Sequence, residues 1–111
     1  MVCKLHEVIK FVREYNLLND LSDEDIEQNF NIFHHACSFD KNIAAYEVHR
    51  DNPNVFESVL DKTMEILDEA FEHEYTKDMM RDIATTFCEV FEAAGAPKRP
   101  VPFIIVLLSR V

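Results

Sequence analysis

Glycine is almost absent from the chain: Gly95 is the only one in 111 residues. Tight hairpins and close backbone approaches depend on glycine, so this scarcity argues against a sandwich or barrel. It also removes any glycine-rich loop of the kind that cradles nucleotide phosphates. Tryptophan is missing and proline occurs four times. No apolar run is long enough to span a bilayer, and the first residues lack the apolar stretch of a secretory signal. The three cysteines, Cys3, Cys37 and Cys88, form no C-x-x-C pair and cannot all pair within one chain. Free, mostly buried thiols in a reducing compartment are therefore expected, which places the protein inside a cell or an infected host, in the cytoplasm.

Basic residues are also scarce. Eleven Lys and Arg face 21 Asp and Glu, for a formal net charge of −10. Such a surface repels phosphates and anionic lipid, so neither direct nucleic-acid binding nor membrane binding is expected. It attracts basic proteins. Charge of this kind also serves solubility alone.

What the chain does contain is one domain's worth of helical pattern. Hydrophobic residues make up 48% of it, enough for a single core over residues 1–111. Leu5, Val8, Ile9, Val12 and Tyr15 repeat at helical spacing and predict a first helix over 2–18. Ser22 followed by Asp25 resembles a capping box, opening a second helix over 23–38 with Ile26, Phe30, Phe33 and Cys37 facing inward. A short third helix is expected over 41–50. A break at Asn52-Pro53 then starts a fourth over 53–73, with Phe56, Leu60, Met64, Leu67 and Phe71 as its apolar stripe. Thr76 should cap a fifth, which Gly95 and Pro97 should end. The tail over 103–108 has no polar residue. Periodicity alone does not decide its state, but a helix fits its neighbours, buried centrally or against a partner. The expected fold is all-α, a compact antiparallel bundle of five to six helices.

Charge distribution carries the functional reading. No Lys or Arg lies between Arg13 and Lys41, an interval that holds Glu14, Asp20, Asp23, Glu24, Asp25, Glu27 and Asp40. Along the fourth helix, Glu57, Asp61, Glu65, Asp68 and Glu72 are spaced by four, four, three and four and so share a face. Each follows an apolar stripe residue by one, which places the row beside the stripe. Like charges at this spacing work against helix stability, which suggests a purpose other than folding. The row is read as a surface that docks a basic protein, nucleic-acid-binding proteins included, and inhibits or regulates it. The alternative is a helical adaptor that binds a partner helix, or a second copy as a homodimer, through an apolar interface that includes the tail.

Catalysis finds little support. His34 and Cys37 have the spacing of helical metal ligands, but Cys37 also reads as core. Glu69 and His73 share a face without forming a Glu-x-x-His motif. Cys88 sits beside acids, the wrong setting for a reactive thiol. The chain is read as non-enzymatic, with no cofactor and no metal. A metal-dependent or thiol enzyme using His34, Cys37 or Cys88 is the remote alternative.

Overall fold

Local capping and chain breaks set most of the helix boundaries in the computed structural model, which describes residues 2–43, 48 and 51–110. The described residues form six helices and no strand: α1 (Leu5–Glu14), α2 (Asp23–Asn31), α3 (Ala36–Ile43), α4 (Pro53–Ala70), α5 (Lys77–Ala94) and α6 (Pro100–Leu108). They pack into a body of 31 × 30 × 26 Å.

α1 is shorter than its pattern at both ends. The Lys4 N–H donates to the Glu7 carboxylate at 3.2 Å, which fixes the start. Asn16 and Leu18 adopt positive φ, 53° and 48°, and turn the chain away after Tyr15. Leu17 still reaches the core from the turn, 1% exposed. The Ser22 hydroxyl accepts from the Asp25 N–H and the Asp25 carboxylate accepts from the Ser22 N–H, so the capping box forms as read.

The expected helix over 23–38 is in fact two. α2 stops at Asn31, and His35 at φ 61° separates it from α3. The break lets Phe33 bury itself and meet Phe39 edge-on, with ring centroids 5.7 Å apart. Residues six apart in a continuous helix point to different faces and could not make that contact. α3 consequently begins before the expected 41–50 helix; positions 44–47 and 49–50 of that expectation lie outside the described residues.

Cys3 and Cys37 are joined in a disulfide, with Cα atoms 4.8 Å apart. This corrects the expectation of three free thiols; only Cys88, buried in α5, is unbridged. The pairing partners are 34 residues apart and meet only because the α2–α3 break folds α3 back toward the start of α1.

α4 ends at Ala70, three residues short of expectation, because Phe71 takes an extended backbone as its C-cap. Phe71 therefore leaves the apolar stripe and stands 46% exposed. Thr76 caps α5 by accepting from the Met79 N–H, and Gly95 ends it in the left-handed region at φ 70°.

α6 is the centre. All nine of its residues are buried, and it packs against each of the other five helices. Burying a helix end normally strands backbone polar groups. Here Pro100 and Pro102 carry no N–H, so two of the N-terminal donors do not exist. At the other end, the Asn29 amide donates to the Ile105 carbonyl at 3.1 Å, and the Ser109 and Arg110 N–H groups take the Val106 and Leu107 carbonyls. The apolar tail is thus a core helix of its own chain.

Candidate functional site

Of the acidic row, Glu57, Asp61, Glu65 and Asp68 lie on α4, with Glu57 and Asp61 paired to α5; Glu72 falls outside the expected face, because the helix ends at Ala70. Lys77 Nζ bridges Glu57 and Asp61, at 2.6 and 2.7 Å, and Arg81 reaches Glu57 at 2.9 Å. These cations hold the Glu57 carboxyl below its usual range, chiefly through the hydrogen bond from Lys77 and then that from Arg81. Glu65 pairs with Lys62 of its own helix at 3.1 Å. Asp68 accepts from His73 Nε2 at 2.7 Å; the Nδ1 of that ring accepts from the Tyr75 N–H, which leaves the proton on Nε2. Glu72 is exposed and has no ion pair among the described residues, and the same is true of Glu69 and Glu74. Cationic compensation is therefore concentrated at Glu57, Asp61 and Glu65, and the acids past the end of α4, Glu72 and Glu74, have no ion pair among the described residues.

Phe71, just beyond the end of α4, shares a cleft with the acidic segment that leads into α2. Asp20, Leu21 and Asp25 line one side of this cleft of about 440 Å³, and Phe71 lines another, with Leu108 and Arg110 from the end of α6. Phe71 sits between Asp68 and Glu72 in sequence. The cleft thus combines an exposed aromatic ring with the carboxylates of Asp20 and Asp25, while Asp68 and Glu72 flank Phe71 in sequence without lining it. Asp23 of the same segment is paired with Arg13 of α1 at 2.7 Å, while Glu24 and Glu27 are exposed without an ion pair among the described residues. Among the described residues Arg110 is the one cation lining the cleft. Its guanidinium donates to Asp20 at 2.8 Å, a hydrogen bond that lowers the pKa of that carboxyl.

The sequence reading found the row but not its partners on α5. The signal was present, since Glu57, Asp61 and Asp68 each follow a core residue, Phe56, Leu60 and Leu67, by one and so flank the packed face. Which neighbour supplies cations there is a tertiary fact. Asp20, Phe71 and Arg110 were likewise not singled out as a group, because they converge from three separate segments.

The residues considered for chemistry are dispersed or consumed. Cys37 is in the disulfide, Cys88 is fully buried, and His34 and His35 are exposed. Among the described residues, no three His, Cys, Asp or Glu side chains gather closely enough to hold a metal ion. No helix among them is long and apolar enough to cross a membrane. Comparison with protein-family models, curated proteins and solved structures gives no match.

Proposed function

We propose that the protein is a non-catalytic binding module that docks a basic protein, such as one that itself binds nucleic acid, and inhibits or regulates it. The observation that carries this reading is the cleft where Asp20 and Asp25 meet the exposed ring of Phe71, just beyond the end of α4. Exposed charge mainly raises association rate and specificity, and affinity needs an apolar anchor in addition. Phe71 supplies that anchor. In the proposed complex Asp68 and Glu72 act at the rim of the cleft, while Glu57, Asp61 and Glu65 steer from further along the row. The reading takes the helices as an antiparallel bundle around α6 and the location as intracellular. There the Cys3–Cys37 bridge meets the reducing poise of its compartment.

The test is capture of partners from native lysate with a stepwise salt elution, using the wild-type chain and a Phe71→Ser/Glu72→Gln variant shown by circular dichroism to be folded. A basic protein that elutes at moderate salt from the wild type and is lost from the variant supports the reading. The same protein retained equally by both removes the cleft from it.

A second reading, an adaptor with an apolar interface for a partner helix or a second copy, draws on the exposure of Phe71 and Met79, each 46%. It predicts capture that persists through high salt, or a dimer in sedimentation that Met79→Ser dissociates.

A further inference from the structure

α3 is a short helix with an unusual burden. Three residues after Cys37, the Asp40 side chain is wholly buried, and neither carboxylate oxygen has a hydrogen-bond partner among the described residues. Its electrostatic surroundings include Arg99, which favours the charge, and Glu7, which opposes it. A buried carboxylate without hydrogen bonds gains by returning to water. Asp40 therefore pushes α3 away from the position it occupies. Against that push stand the packing of α3 on α6 and the covalent bond from Cys37 to Cys3.

The bond is open to attack. Cys37 is partly exposed, whereas Cys3 is 4% exposed. Their bridge borders a surface cleft shared with Lys4, Phe30, His34 and His35. Cys37 also lies in the first turn of α3, where the helix dipole favours a thiolate.

We propose that the Cys3–Cys37 disulfide is a redox-sensitive latch that holds α3 over the apolar helix α6. The reductant is a dithiol. Its first thiolate attacks Cys37 Sγ, the S–S bond breaks, and Cys3 Sγ leaves as a thiolate that takes a proton from water. The second thiol, deprotonated, attacks the reductant's own sulfur in the mixed disulfide. Cys37 departs as a thiolate and the reductant leaves as its cyclic disulfide, so two electrons have passed to the protein. With the latch open, α3 lifts, Asp40 is hydrated, and the part of α6 beneath α3 is uncovered.

The experiment is hydrogen–deuterium exchange read by mass spectrometry on the full chain, with and without dithiothreitol. On reduction, the amides of α3 are expected to exchange about tenfold faster or more, while those of α4 and α5 keep their rates. Binding of an environment-sensitive hydrophobic dye should rise in parallel. Cys37→Ser should show the fast α3 exchange without any reductant. Asp40→Asn, reduced, should return α3 toward its oxidised rate, because the carboxylate supplies the push. Unchanged α3 rates after reduction overturn the latch, as does uniform acceleration across all helices. A chain purified without reductant that gains no hydrogens in mass on reduction also overturns it.

Discussion

Arg110 and Asp20 are ninety residues apart in sequence and 2.8 Å apart in space. The contact joins the end of α6 to the turn before α2, on the wall of the acidic cleft. A guanidinium from the chain itself thus occupies a carboxylate that the proposed docking of a basic protein would call on. Both side chains are solvent-exposed in part, so the pair contributes little to stability.

Arg110→Ala should therefore leave the melting temperature nearly unchanged while tightening binding to a basic partner, most clearly at low salt. Titration of a captured partner against both proteins checks this. Weaker binding by the variant would mean that Arg110 contributes to recognition instead of competing with it.

Glu57 is the best-compensated acid of the row. Its folded carboxyl titrates below the ordinary range, so the stability it adds is present above that range and lost as pH falls through it. Glu57→Gln should lower the melting temperature modestly at pH 7. The difference should shrink with added salt and vanish in acid. Glu72→Gln, at a side chain with no ion pair among the described residues, should lower the melting temperature at pH 7 less than Glu57→Gln does.

Asp40 has the opposite sign. Burial, its largest influence, raises its carboxyl above the ordinary carboxylate range, with Arg99 pulling part of the way back. The folded state then holds the proton more tightly than the unfolded state. Stability falls as pH rises from that ordinary range through the raised folded value, and the whole penalty applies above it. Asp40→Asn should stabilise the oxidised protein at pH 7 by about 1–3 kcal/mol, with no charge-related gain below the ordinary carboxylate range. Urea unfolding at acidic and neutral pH measures both.

Gly95 sits at φ 70°, and a Cβ built on it meets nothing within 4 Å. Conformation and not space sets the cost there. Gly95→Ala should destabilise by about 1–2 kcal/mol, and Gly95→Asn by less, since asparagine tolerates the left-handed region.

Ile105 lies wholly inside the core. Ile105→Ala should cost about 2–5 kcal/mol by thermal or urea unfolding. Ile105→Asp should leave no folded protein, so substitutions that probe an interface belong at Phe71 or Met79.

Features encoded locally were legible in the sequence. Ser22 with Asp25, Thr76, Pro53 and Gly95 each mark a helix end by chemistry within a few residues, and each does so in the structure. Features that depend on distant chain were not. The α2–α3 break uses Ile32, Phe33, His34 and His35, with neither glycine nor proline to announce it, and it exists because Phe33 packs against Phe39. Phe71 continues the heptad-like spacing of α4 yet points to solvent, because the helix has already ended. The disulfide follows from that same break. Of the candidate site, the run of acids on α4 was readable, but the pairing of Glu57 and Asp61 with Lys77 and Arg81 required knowing that α5 lies alongside.

The position of α6 in chain order has a consequence for biogenesis. During synthesis α1 to α5 leave the ribosome before the helix they surround, and each of them packs against it. Until α6 emerges, their apolar faces lack a common partner and stay available to chaperones. Folding of this core must therefore wait for α6, and a nascent chain stopped before Pro100 should be recognised by quality control as unfinished.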